Sequence, residues 1–189
     1  MKNKKILVLD IDNTLIYACH HEIEDADYGV YSIGKDVYRI YKRPNVDCFL
    51  QYAFKNFNVA IWSSAWMEHI ENVIDYLKID KEKLLFIYDS KKCTQHYSNK
   101  DDTIFILKIF HKLKRKGYDL TQIIGVDDNY STYMLNYGNL LPVKAWFGDC
   151  GSKIDTELLL VMEYLEKIKD VSNIRDIYKN NWKEQLLLK

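Results

Sequence analysis

Proline and glycine are scarce, at 2 and 7 of 189 residues. That excludes a collagen-like or Pro/Gly-rich low-complexity chain and leaves no stretch that reads as a flexible linker. With so few residues that interrupt regular structure, dense helix and strand is expected. Surplus charge is absent as well: 27 Lys+Arg stand against 27 Asp+Glu, a formal net charge of zero. A dedicated binder of nucleic acid or of anionic membrane draws its affinity from excess positive charge, so neither is expected as a partner. No apolar run approaches the roughly 18–20 residues that span a bilayer. Met1-Lys2-Asn3-Lys4-Lys5 has the charge of a secretory signal, but the apolar stretch after it stops at Asp10, too soon for one. The four cysteines, Cys19, Cys48, Cys93 and Cys150, include no CxxC pair, so zinc and dithiol motifs are missing. A reduced, cytoplasmic protein with one domain over residues 1–189 is the expectation.

What is present is a repeated alternation of apolar runs and helical stripes. Ile6-Leu7-Val8-Leu9 is continuously apolar and ends at Asp10, the pattern of a parallel strand buried on both faces. Val59–Trp62 before Ser63, Leu84–Ile87, and Ile123–Val126 before Asp127 repeat it, and Leu140–Val143 is a weaker fifth run. Between them, Val46–Asn56, Met67–Leu77, Lys108–Lys116, Asp155–Ile168 and Ile174–Leu188 carry apolar residues at i, i+3, i+4 spacing and predict helices. Gly117 marks the stop of the third. Residues 17–42, rich in Tyr, Val and Ile, predict an inserted hairpin after the first strand. A second hairpin is predicted from Cys93–Tyr97 and Thr103–Leu107 around a polar turn that includes Lys100 and Asp101. Residues 170–189 read as a helical tail. The alternation predicts an α/β fold with a doubly wound parallel sheet.

In such sheets ligands bind beyond the carboxyl ends of the strands. That rule picks out Asp10, Asp12, Ser63, Asp127 and Asp128. If the first and fourth strands are both central, four carboxylates meet in one crevice and repel. A hard divalent cation relieves this, and Mg²⁺ typically takes one or two carboxylates together with a substrate phosphate. A carboxylate there can also attack phosphorus. The bland alternative is a pair of solvated loops, which becomes improbable only through the conjunction of Asp10-Ile11-Asp12 with Asp127-Asp128.

Asp10-Ile11-Asp12-Asn13-Thr14-Leu15 resembles the DxDx[TV]L signature of the haloacid-dehalogenase (HAD) superfamily of phosphatases. More narrowly it resembles the NLI-interacting-factor-like branch, which includes small phosphatases acting on the RNA polymerase II C-terminal domain. Tyr41-Lys42-Arg43-Pro44-Asn45-Val46-Asp47-Cys48-Phe49-Leu50 is similar to that branch's KRPxVDxFL, Ile61-Trp62-Ser63-Ser64-Ala65 to its LFTAS, and Ile124–Asn129 to its ILDNSP/VDDSP. Pro142–Phe147 followed by Asp155–Leu159 is similar to VPVxxWF…DTEL, so the resemblance spans about residues 5–168.

The resemblance implies a HAD-like Rossmannoid fold and a Mg²⁺-dependent phosphoric monoester hydrolase. It implies Asp10 as nucleophile and Asp12 as general acid/base, whose backbone carbonyl also ligates the metal. Ser63, with Ser64 beside it, would hold phosphoryl oxygens; the competing reading of Ser63 is a helix-capping hydroxyl. Asp128 would ligate the metal, with Asp127 orienting a metal water or the site lysine. Thr14 would tie down the nucleophile loop. Lys108 would open a helix and neutralise phosphate charge, with Lys100 and Lys112 as competitors for that place. The implied partner is a phosphorylated substrate, either a phosphoserine/phosphothreonine protein or, alternatively, a nucleotide or polynucleotide; a non-catalytic scaffold is the reading from a different class. Trp66 and His69 depart from the family's residues after TAS. Tyr17, Tyr28, Tyr31 and Tyr38 read as half-buried insertion residues, His20-His21 as an exposed loop, and Lys112–Lys116 as a solvated helix end.

Overall fold

The computed structural model describes residues 4–24, 26–99, 102–148 and 155–187. Lys100, Asp101 and Cys150 lie outside the described residues. The elements run β1 (Ile6–Leu9), β2 (Ile16–Cys19), β3 (Tyr28–Ile33), β4 (Asp36–Lys42), α1 (Val46–Asn56), β5 (Asn58–Trp62), α2 (Met67–Tyr76), β6 (Ile87–Tyr88), β7 (Thr94–Ser98) and β8 (Thr103–Leu107). They continue with α3 (His111–Lys114), β9 (Ile123–Asp127), β10 (Leu140–Pro142), α4 (Glu157–Ile168) and α5 (Trp182–Leu187).

Five strands form a parallel sheet in the order β10-β9-β1-β5-β6. β1, fully buried along its length, is central. Alternate residues serve opposite faces. Leu7, Leu9, Val59, Ile61, Ile124 and Val126 pack with α1, α2, α4 and α5. Ile6, Val8, Ala60, Trp62 and Ile123 pack with Phe110, Leu113 and Tyr133 on the other. Apolar strands covered on both faces are what a parallel sheet requires, since crossovers place structure on each side. Chain order reverses between β1 and β9: successive strands step first toward β6, then from β9 toward β10. Their carboxyl ends therefore open onto the topological switch point.

Several expectations are corrected. The third apolar run is a strand only at Ile87–Tyr88. Leu84 to Phe86 leave a 3-10 turn at Lys81–Lys83 and touch β5 only through single bonds such as Leu85 N–H to Val59 O, 2.8 Å. The predicted hairpin at 17–42 is a three-stranded antiparallel sheet, β2-β4-β3, because the chain leaving the loop after β1 adds to the free edge of β4. The helix expected from Lys108 starts only at His111. Lys112 N–H donates to Ile109 O (3.0 Å) rather than to Lys108 O, so no helical turn closes on Lys108, whose own N–H donates to Thr132 O (2.8 Å) while Phe110 N–H donates to Asn136 Oδ1 (3.0 Å). The helix expected over Ile174–Leu188 is a 3-10 turn at Ile174–Asp176 followed by α5. Between them the buried Lys179 ammonium donates to Ile174 O and Ile177 O, drawing those carbonyls away from a helical ladder. The helix read from Asp155 begins at Glu157, with Asp155 engaged elsewhere.

That engagement is the main tie holding the loop after β1. Arg43 is buried and spends all five N–H donors. Nε and one Nη2 proton meet Asp155 (3.1 and 2.9 Å), the other Nη2 proton meets Lys144 O (2.8 Å), and Nη1 meets Asn13 O (3.3 Å) and Thr14 O (3.1 Å). Asn13 takes a left-handed turn, φ 59°, a conformation that asparagine accepts more readily than most residues. Arg43→Met should destabilise the protein by about 3–5 kcal/mol, because it leaves the largely buried Asp155 carboxylate without its counter-charge and the carbonyls of Thr14 and Lys144 without their donor. Arg43→Lys, which keeps the charge and loses the fork, should fall between. Urea unfolding with an unchanged m-value is the measurement, and a cost below about 1 kcal/mol for Arg43→Met would remove this tie from the account.

Candidate active site

Register decides which side chains meet. Leu9 lies opposite Val126 on one side and Ile61 on the other, and the Asp10 amide continues the ladder to Val126 O at 3.0 Å. Asp10 and Asp127 therefore leave their strands side by side, with Ser63 just past the end of β5. Lys108 reaches them from the loop after β8. Its Nζ lies 2.6 Å from Asp10 Oδ1 and 2.5 Å from Asp127 Oδ2, and all three side chains are almost fully buried. Thr14 Oγ1 lies 3.3 Å from Asp10 Oδ2 and 3.2 Å from Asp128 Oδ1, and accepts the Asp128 N–H at 3.2 Å. It thus joins the first loop to the second. Carboxylate oxygens of Asp10, Asp127 and Asp128 all lie within 4.8 Å of one another.

Asp12 stands apart from that trio. Its Oδ1 lies 2.8 Å from His69 Nε2, while His69 Nδ1 contacts the Tyr31 hydroxyl. Ser63 is buried, and its Oγ accepts the Ala65 N–H at 3.0 Å, a local turn that precedes α2 by several residues; no side chain caps that helix. Ser64 is exposed beside it. Lys112 lies off the site, its ammonium donating to Lys92 O at 2.6 Å. Beside Asp12 a cleft of about 360 Å³ is lined by Ile33, Asp36 and Tyr38 of the inserted sheet and by Trp66 and His69. A larger cleft, about 1020 Å³, lies at the opposite ends of the strands around Lys4, Lys55 and Ser172 and contains none of these carboxylates.

Known proteins share this framework. The family described as NLI interacting factor-like phosphatase matches residues 5–175. This chain belongs to that family. Its relatives include a probable C-terminal domain small phosphatase of Dictyostelium discoideum, 29% identical over 94% of this chain and 56% of that protein. They also include the human CTD small phosphatase-like protein, 30% identical over 93% and 59%. CTD small phosphatase-like protein 1 of Caenorhabditis elegans is 30% identical over 94% of this chain and 34% of its own length. The chain thus spans only part of the relatives it matches. The solved structure of the fission yeast RNA polymerase II CTD phosphatase Fcp1 superposes with a TM-score of 0.59 at 13% identity, over 98% of this chain and 55% of that one, which establishes the shared fold.

Within this phosphatase domain the electrostatics are unbalanced. Three close carboxylates face one ammonium. Burial alone would lower the Lys108 value, but the Asp10 and Asp127 charges override it and hold the ammonium protonated above the ordinary lysine range. Burial, then the charge of Asp127, push Asp10 well above the usual carboxylate range, and Lys108 offsets only part of this. The same two causes push Asp128 up to about 6. An all-oxygen set with too much negative charge suits a hard divalent cation rather than a soft one.

The residues that sequence reasoning left out are Tyr31 as a partner of His69, and His69 as a partner of Asp12. Tyr31 and His69 are 38 positions apart on different elements, and no local spacing announces the pair. The raised Asp128 value has a stability consequence. In the metal-free protein the folded state holds a proton between pH values of about 3.8 and 6 that the unfolded state has released, so the stabilisation is present on the acid side and lost as pH rises through about 6. The melting temperature of wild type relative to Asp128→Asn, measured in EDTA, should fall from pH 5 to pH 7. A flat difference would contradict it.

Proposed function

We propose that this chain is a Mg²⁺-dependent phosphatase that hydrolyses phosphomonoesters through an aspartyl-phosphate on Asp10, acting on phosphoserine or phosphothreonine in a protein segment. The observation that carries the reading is Lys108 Nζ bridging Asp10 and Asp127, with Asp128 close by, at the switch point of the sheet. A scaffold gains nothing from carboxylates crowded at this cost, whereas phosphoryl transfer needs both a nucleophile and positive charge around the phosphoryl group.

Asp10 attacks phosphorus, the ester P–O bond breaks, and Asp12 gives its proton to the departing oxygen. Water then adds to the phosphorus of the acyl phosphate as Asp12 takes its proton, and Asp10 is released as carboxylate with inorganic phosphate. Lys108 keeps Asp10 oriented through Oδ1 and lies where charge on the phosphoryl group builds. The Ser63 hydroxyl oxygen is already occupied by the Ala65 N–H, which leaves its own proton to donate to a phosphoryl oxygen. Ser64 offers a second hydroxyl at the rim. Asp10, Asp128 and the Asp12 backbone carbonyl, with Asp127 behind them, would hold Mg²⁺, which would supply the charge neutralisation that one ammonium cannot. Thr14 holds the two acidic loops in register.

Several features support a protein substrate over a free nucleotide. Relatives are named as C-terminal domain phosphatases. The cleft beside Asp12 is open, and Trp66, 69% exposed at its edge, offers an apolar flat surface next to Ile33 and Tyr38. Cys19, Cys48 and Cys93 are free thiols, in keeping with a reducing compartment such as the cytoplasm. Among the described residues no helix is long and apolar enough to cross a membrane.

Mg²⁺-dependent phosphate release from p-nitrophenyl phosphate and from a panel of phosphopeptides and nucleotides tests this. Asp10→Asn should lower turnover by on the order of 10³-fold or more. Asp12→Asn should slow both steps and leave a detectable fraction of protein heavier by one phosphoryl group. No turnover by folded, Mg²⁺-loaded wild type would end the phosphatase reading, and a preference for nucleotides would replace the substrate class.

A further inference from the structure

The chemistry above uses Asp12 and leaves unexplained what holds it. The Asp12 side chain is 37% exposed, and among the described residues the hydrogen bond to its carboxylate comes from His69. His69 sits on the first turn of α2 and is buried, with both ring nitrogens engaged: Nε2 by Asp12 and Nδ1 by Tyr31. Tyr31 belongs to β3 of the inserted sheet, is buried, and stacks on Tyr38 with ring centroids 5.2 Å apart and planes at 11°. Three side chains from three separate elements thus form one line that ends on the carboxylate.

The partners decide the proton arrangement. Burial, then the nearby Asp12 charge, push the Tyr31 hydroxyl above its usual range, so it is a neutral donor. A hydroxyl that gives its proton to Nδ1 leaves Nε2 as the ring nitrogen that donates to Asp12 Oδ1. With Oδ1 occupied, Oδ2 is the oxygen left to carry a proton to the leaving group. A carboxylate free to rotate would present either oxygen and lose orientation, the factor that general acid catalysis depends on.

We infer that His69 and Tyr31 are positioning residues that lock the Asp12 carboxyl with Oδ2 toward the scissile oxygen, which makes the inserted sheet part of the proton-transfer machinery. The inference rests on the phosphatase reading and deepens it by assigning how the general acid is held. His69 and Tyr31 touch no reacting atom in this scheme and act only through Asp12.

Leaving-group dependence separates this role from simple packing. An ester of a weakly basic alcohol such as p-nitrophenol departs without needing a proton, whereas phenol and alkyl alcohols need one increasingly. With full-length wild type, His69→Ala, His69→Gln and Tyr31→Phe in saturating Mg²⁺, kcat/KM is measured for phenyl phosphates of graded leaving-group basicity and one alkyl phosphate. This parameter reports the phosphoryl-transfer step. His69→Ala should steepen the dependence, so that the alkyl ester loses on the order of tenfold or more relative to p-nitrophenyl phosphate, within the range general acids contribute. His69→Gln, whose amide N–H can reach Asp12, should restore most of the wild-type slope. Tyr31→Phe should shift the slope the same way by less.

An equal loss across all esters, a change confined to KM, or Ala and Gln variants that behave alike would overturn the inference while leaving the phosphatase reading intact. Wild type inert toward every ester would sink both. Should His69→Ala fail to fold, the slopes of His69→Gln and Tyr31→Phe against wild type decide: wild-type slope in Tyr31→Phe overturns the chain.

Discussion

One ammonium between two buried carboxylates governs this molecule. Lys108 contacts Asp10 and Asp127 at 2.6 and 2.5 Å in a site nearly closed to water. Neither carboxylate could stay charged at that depth unpaired, since a buried lone charge costs several kcal/mol. Lys108 follows directly on β8, with Ile109 and Phe110 between it and α3. No helical turn closes on Lys108, since Lys112 N–H bonds Ile109 O; the amides of Lys108 and Phe110 bind the segment after β9 while the lysine side chain reaches across to β1.

The parallel sheet was legible because its chemistry is uniform. β1, β5 and β9 are unbroken apolar runs, each followed by a polar residue, and parallel strands buried on both faces have no other way to read. The meeting of Asp10 with Asp127 and Asp128 follows once β1 and β9 are neighbours. The strand at Ile87–Tyr88 was blurred because Leu84 and Leu85 are equally apolar while pairing only in passing. The third strand of the insertion was hidden because Ile16–Cys19 joins β4 across some twenty intervening residues, a pairing that local alternation does not specify. Lys108 was legible through family resemblance alone; three lysines compete on spacing, and what separates Lys108 from Lys112 is burial against Asp10 and Asp127, contacts between distant elements. His69 stood out only as a departure from the family's residues, and its two partners come from other elements.

Loops at strand ends bear function because a rigid sheet positions them, yet the loop itself needs anchorage. Here Ile11 and Leu15 are buried in the core, and polar ties are added to them. Asn13 turns left-handed, and the carbonyls of Asn13 and Thr14 are both taken by Arg43. Arg43 in turn is held by Asp155 and Lys144 O from the far side. A guanidinium suits this role where an ammonium would not, because its planar fork addresses five acceptors in fixed directions. Trp146 N–H adds a bond to Asn13 O at 2.9 Å, so the same carbonyl is met twice.

The zero net charge of the chain conceals how unevenly charge is placed. Arg43 is neutralised locally by Asp155, with carbonyls taking its remaining donors, whereas Asp10, Asp127 and Asp128 share Lys108 and remain in surplus. The consequence is a site whose folded form competes for protons when nothing else offsets its charge, as the raised Asp10 and Asp128 values express. That strain cannot be relieved by rotating the side chains outward, because β1 and β9 are register-locked at the centre of the sheet and Thr14 ties their loops together. A rigid frame that forbids the easy escape keeps the carboxylates crowded where the proposed reaction would use them, and it does so at the expense of the frame's own stability.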